Sequence, residues 1–220
     1  MEVFVTQFVY LYFAAEEIGF ELRHSLRSVD KNFQGEPELL IIGDEPPFLD
    51  RSKYKFIPVP RFGGEFVKEH AVQFDQLRKY EVLANHEWTK ETFINMNDDF
   101  FMVKPFTEEW VSDLRHTVLE HWGPNNHIRI TNNYVRAVSK TRDYLRNIKR
   151  PTWNFNLHMP RYFHKKKLFK MFQEVPMIAN RLHWETYYAN SFLPDNFKPR
   201  FAFKGVGQKA GFYGTDDDHS

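Results

Sequence analysis

Cysteine is absent from the chain's 220 residues, which excludes disulfides and thiolate metal sites and removes any reason to expect an oxidising compartment. An excess of either charge is missing as well. The 30 Lys and Arg residues face 29 Asp and Glu, a formal net charge of +1, so there is no global field for nucleic acid or an anionic membrane. Long apolar runs are also lacking: the one that ends at Phe13 is too short to span a bilayer, and Glu2 stands where a signal peptide would carry positive charge. No repeat or low-complexity segment interrupts the chain. These absences predict a soluble, cytoplasmic protein with no transmembrane segment and no nucleic-acid partner.

Aromatic residues, in contrast, are plentiful at 17%, with 23 Phe and 10 Tyr, and suit surfaces that stack on the rings of a base or sugar. The length fits one sizeable domain with a real core. Val3 to Phe13 is almost continuously apolar, as in a strand covered on both faces. GFELRHSLRSVDKNF repeats Leu22, Leu26, Val29 and Phe33 at helical spacing. ELLIIGD reads as a second buried strand, and Lys55 to Val59 as a third at a sheet edge, because Pro58 cannot donate to a ladder. A helix carrying Phe74, Leu77, Val82 and Leu83 amid polar Asp75, Arg78, Lys79 and Glu81 follows Gly63-Gly64, and then the strand Thr92 to Met96.

The first hundred residues thus predict β-α-β-β-α-β, an α/β three-layer sheet. Beyond them, Glu108 to His121 predicts a helix, Ile128 to Ile130 a short strand and Thr131 to Ile148 a further helix, followed by the basic amphipathic stretch His164 to Glu174, Leu182 to Leu193 and a terminal RFAFK. TWNFNLHMPRYF shows no period. The resulting division is one domain over 1–213, with an α/β half (1–106), a mainly helical half (107–213) and a disordered acidic tail (214–220).

The strand Thr92 to Met96 delivers Asn97-Asp98-Asp99 at its end, bracketed by Phe93, Ile94, Phe100, Phe101 and Phe106. Two adjacent carboxylates at the end of a buried strand are costly unless something cancels their charge. Mg²⁺ or Mn²⁺ does so, drawing its remaining oxygens from water and substrate phosphates. A pair that only caps the strand and faces water is the other reading. Arg23 and Arg27 are open to two readings in the same way, as phosphate ligands or as a solvated helix face, and His158 as a catalytic or a core histidine. His164-Lys165-Lys166-Lys167 with Lys170 forms a local basic patch, either a solvated face or a contact for an anionic glycan.

GFELRHSLRSVDKN, FINMNDDFF and LHMPRYFHKKKLFKMF together resemble three blocks of the Stealth family of sugar-phosphate transferases, over roughly residues 18 to 193. That resemblance implies a GT-A-like nucleotide-sugar fold with a helical C-terminal part. By motif position, Asp98 and Asp99 would hold the metal and donor phosphates, Arg23 and Arg27 would contact phosphate oxygens, and His158 would stand at the reacting centre. Asn97, His70, Arg161 and Arg181 would be substrate contacts, with His183 and Glu185 in a late polar block. The chain departs from the family in its first strand, which carries no Asp, and at Arg161, where the family has histidine.

The function these features imply is transfer of sugar-1-phosphate from a nucleotide-sugar donor to a glycan or other hydroxyl acceptor. The alternatives are a GT-A glycosyltransferase that moves the sugar itself, and a non-catalytic sugar- or nucleotide-binding relative. If the first holds, Arg23, Arg27 and His158 should converge on the cleft that contains Asp98 and Asp99.

Overall fold

The computed structural model describes residues 5–14, 20–61, 71–114, 117–118, 120–121, 133–155, 159–193, 198–199 and 212–214. The first half runs β1 (Val5–Tyr12), α1 (Phe20–Asn32), β2 (Glu36–Gly43), β3 (Tyr54–Pro58), α2 (Ala71–Asn85) and β4 (Thr92–Met96), the order the sequence predicts. β5 (Phe100–Met102), α3 (Glu108–Leu114), β6 (Thr117–Val118), β7 (Glu120–His121), α4 (Asn133–Asn147) and β8 (Trp153–Asn154) come next. β9 (Arg161–His164), α5 (Lys165–Glu174), α6 (Met177–Asn180), α7 (Trp184–Phe192), β10 (Lys198–Pro199) and β11 (Phe212–Gly214) complete the described chain.

One mixed sheet in the order β3-β2-β1-β4-β9 forms the frame; its first four strands are parallel and β9 runs antiparallel to β4. Its alternation is strict. Phe8, Tyr10, Tyr12, Leu39, Ile41, Ile94 and Met96 pack with Leu22, Leu26 and Val29 of α1 and Val111 of α3. Val9, Leu40, Ile42, Phe93 and Phe163 face the other way, against Leu77 and Leu83 of α2, Leu168 and Met171 of α5 and Tyr187 of α7. Apolar residues are needed on both faces of each central strand, which is why those strands read as nearly unbroken apolar runs. α1 lies on the face opposite α2, as a constant crossover hand demands when the chain moves across the sheet first one way and then the other.

Three sequence expectations are revised. The helix from Glu108 ends at Leu114, since β-branched Thr117 and Val118 pair with Lys198–Pro199, and Glu120–His121 pairs with Trp153–Asn154. Within the aperiodic TWNFNLHMPRYF stretch lie β8 and the start of β9, so the second half contributes a strand to the main sheet. Gly214, assigned to the tail, belongs to β11. Ile128 to Ile130 and 215–220 fall outside the described residues. Pro58 does lie on the edge strand β3, and among the described residues no helix is long and apolar enough to cross a membrane.

Gly43 closes β2 at φ +126°, and a Cβ there would stand 2.2 Å from the Tyr12 carbonyl and 2.7 Å from the Lys79 side chain. Only glycine meets both demands. Gly43→Ala should lower the free energy of unfolding in guanidinium chloride by about 3 kcal/mol; a change within the error of wild type would refute the conformation assigned to this corner.

Candidate functional site at the carboxyl edge of the sheet

From β1 the chain builds β2 and β3 to one side and then places β4 on the other, so neighbouring crossovers part between β1 and β4. In open α/β sheets that divergence leaves a crevice at the carboxyl ends of the strands, where ligands bind. Tyr10 is level with Met96 across this junction, so the acidic turn lies just past the end of the ladder, beside the last residues of β1. Asn97 opens a tight turn, its carbonyl accepting from the Phe100 backbone at 3.2 Å. Asn97 and Asp98 are half-buried and Asp99 is buried.

The Tyr10 hydroxyl is fully buried, and desolvation, with a contribution from the Asp98 charge, raises its pKa. Tyr12 is shifted the same way by burial, then by Asp98 and Asp44. The negative field of Asp98 therefore reaches both tyrosines on β1.

α1 fixes this turn through three polar side chains. Ser25 Oγ donates to the Phe100 carbonyl and is hydrogen-bonded to the Tyr10 hydroxyl; Ser28 Oγ accepts from Met102 N at 2.9 Å; Asn32 Nδ2 donates to the Met102 carbonyl at 2.6 Å. Positions 25, 28 and 32 share one helix flank and grip one edge of β5. β11 takes the other edge, with Tyr213 opposite Phe101.

Arg23 and Arg27 project elsewhere. At 3.6 residues per turn each lies about 160° around α1 from Ser25. The Arg23 guanidinium sits 4.6 Å from the Phe48 ring centre, and both arginines act on Tyr54 of β3. The structure thus puts Arg23 on the β2–β3 flank of α1, away from the acidic turn, while Arg27, on the exposed side of the helix, lines an open groove with Phe101 and Met102 of β5. His158 and His70 lie outside the described residues.

Arg161 is buried on β9, level with Asn95 of β4 and so near the same carboxyl edge, on the sheet face opposite Tyr10. It donates to the Phe155 carbonyl at 2.6 Å and stands 3.9 Å from Glu185. Beside the pair is a cavity of about 20 Å³, room for about one water. Arg181 is exposed in the left-handed region at φ 52°, where it ends α6.

Residues that the sequence reading passed over complete the edge. Asp44, just beyond β2, accepts from Ala14 N at 2.8 Å and Arg61 Nε at 2.7 Å, and Arg61 also donates to the Ala14 carbonyl. Lys79, counted among the polar residues of its helix, is fully buried; its ammonium lies 2.8 Å from Asp75, 2.9 Å from the Tyr12 carbonyl and 3.2 Å from the centre of the Phe13 ring. Burial pulls its pKa down, and Asp75 opposes the shift. The i, i+4 spacing of Asp75 and Lys79 signals an ion pair but not its burial.

The basic patch of α5 resolves into local contacts. Lys165 donates to the His86 and Thr89 carbonyls and Lys167 to the Phe192 carbonyl, while Lys166 pairs with Glu91 and Lys170 with Glu174.

A divalent ion is compatible with the acidic turn: Asp98 is partly open at the crevice mouth and Asp99 is adjacent, a donor set that suits a hard cation sharing its shell with water and phosphate. Among the described residues no group of three or more His, Asp or Glu side chains could hold such an ion by itself. No family model matches the chain, and no curated protein matches it significantly.

His183 yields a pH dependence. Burial, and then the Arg161 charge, pull its pKa from 6.5 to about 3. The neutral Nδ1 accepts from Thr186 N at 3.3 Å and caps α7. Between these two values the unfolded chain binds a proton that the folded one refuses. The stability contributed by the neutral ring is complete above pH 6.5 and lost as pH falls, by about 1.4 kcal/mol per unit. Wild type should therefore lose about 2 kcal/mol between pH 6.5 and 5 from this group. In His183→Gln that component should vanish, and equal losses in the two proteins, measured by urea unfolding, would refute the assignment.

Proposed function

We propose that the chain is a metal-dependent transferase that takes sugar-1-phosphate from a nucleotide-activated sugar and passes it to an acceptor hydroxyl. The observation that carries this reading is the Asn97–Phe100 turn, which sets Asp98 and Asp99 at the carboxyl edge where the crossovers part between β1 and β4. Asp98 and Asp99 would hold Mg²⁺ or Mn²⁺, which when bound neutralises the donor phosphates as charge develops on them. The order β3-β2-β1-β4, with an antiparallel strand beyond, is compatible with a nucleotide-sugar fold and leaves the GT-A assignment part of the proposal.

In this reaction the acceptor oxygen attacks the phosphorus next to the sugar. The bond from that phosphorus to the bridging oxygen breaks, and a nucleoside monophosphate leaves. The protein's task in such a step is to position the partners and balance charge. The rigid grip of α1 on β5 suits it to hold Asp98 still. The acceptor proton goes to His158 in the role the motif resemblance gives it; β9, paired with β4, begins three residues later.

Two measurements test the reading. UDP-, GDP- and CMP-sugars, screened with and without Mn²⁺ by thermal shift, should include one donor that stabilises the protein only with metal, and Asp98→Ala should abolish that shift. Chromatography of the spent donor should then show the monophosphate, with His158→Ala lowering turnover by about 10²- to 10⁴-fold. Release of the diphosphate, with His158→Ala nearly as active as wild type, would make glycosyl transfer the reaction. A protein that binds donor and turns over none would be a non-catalytic relative.

A further inference from the structure

The solvent side of α1 carries a second, separate feature. Phe20, His24, Arg27 and Lys31 follow one another at intervals of four, three and four residues, which aligns them in one stripe. With Phe101 and Val103 on and beyond β5 they line an open groove of about 590 Å³, in the size range of small-molecule and oligosaccharide sites. Phe20 is 55% exposed and Val103 45%, so both present apolar surface beside the groove. The only carboxylate among the lining residues is Glu21. The cations of α5 are each held by a neighbour, whereas neither Arg27 nor Lys31 is held in an ion pair with a described residue. The groove walls are fixed relative to each other by the bonds from Ser28 and Asn32 to Met102, so little ordering remains to be done when a ligand enters.

Aromatic faces beside cations that form no ion pair with a described residue suit a ligand made of rings that bear negative charge. The groove also starts where the acidic turn ends: β5 opens at Phe100, the residue after Asp99, and Phe101 is already a wall. We propose that this groove holds the acceptor, and that the acceptor is an anionic glycan. Its carboxylate or phosphate groups meet Arg27 and Lys31, its ring faces lie on Phe20 and Phe101, and its end reaches the crevice. This rests on the transferase reading for the word acceptor, but the groove's preference for an anionic glycan stands on its own residues. Nucleic acid would require a basic surface that continues past the groove, and the basic run of α5 lies on the opposite face of the sheet with its lysines engaged.

The test uses a fluorescent octasaccharide of alternating uronic acid and N-acetylhexosamine, a neutral glucose octasaccharide, an octaglutamate peptide and an oligothymidylate, titrated by anisotropy against the full chain. The acidic octasaccharide should bind in preference to the other three, more weakly as salt rises. Lys31→Glu, an exposed change, should raise its Kd roughly tenfold. Phe101→Ala should weaken the octasaccharide and leave any residual octaglutamate binding unchanged, as expected for ring stacking. Equal affinity for octaglutamate or oligothymidylate, indifference to Lys31→Glu, or no binding of the acidic octasaccharide would each overturn the proposal. The metal-dependent donor shift, measured on the same proteins, separates the two readings. Its loss in wild type with octasaccharide binding intact would sink the transferase and keep the glycan groove, and the reverse result would do the opposite.

Discussion

The buried ammonium of Lys79 is the interaction on which the carboxyl edge depends. An isolated charge in that position would cost several kcal/mol. It is tolerated because Asp75, the Tyr12 carbonyl and the Phe13 ring surround it at close range. The same Tyr12 carbonyl accepts from Asp44 N at 3.2 Å, so one oxygen ties the ends of β1 and β2 to α2. The space for the ammonium exists only because residue 43 has no side chain. With β1 ended in this way, Asp44 can catch Ala14 N and Arg61, and the mouth of the crevice takes its shape.

Polar groups are distributed unequally over the two faces of β4 near that mouth. On one face the Tyr10 hydroxyl and Ser25 form a small dry network under the Asp98 turn. On the other, Arg161, Glu185 and His183 gather behind Asn95. The second network carries charge and the first does not. A cation brought to Asp98 would therefore lie over the neutral network, while Arg161 would influence it only through the sheet.

The sequence made the sheet legible where strands were covered on both faces, because continuous apolar runs admit few other interpretations: β1, β2 and β4 fall where such runs stand. β9 was hidden because its four residues, Arg161–His164, set two adjacent aromatic groups between Arg and His and owe their conformation to β4, more than sixty positions away. The acidic turn was legible from its place at a strand end. The partners of that turn were not, because they depend on the rotation of α1 about its axis: a stripe of Ser25, Ser28 and Asn32 looks no more functional than Arg23 and Arg27 until β5 is seen to lie against it. Asp75 and Lys79 misled in the opposite direction, since a buried i, i+4 ion pair and an exposed one have the same sequence.

The two-sided capture of β5 also has a consequence for the order of assembly. The α1 side of the strand is supplied by residues made some seventy positions earlier, whereas β11 arrives more than a hundred positions later. A chain emerging from the ribosome N-terminus first can pair β1 to β4 long before β11 exists. During that interval the edge of β5 next to the acidic turn is bare. A growing chain thus acquires its frame early and the brace of its acidic turn last, and the loop closed by the final pairing is among the longest in the fold, so its entropy is lost only when that strand docks.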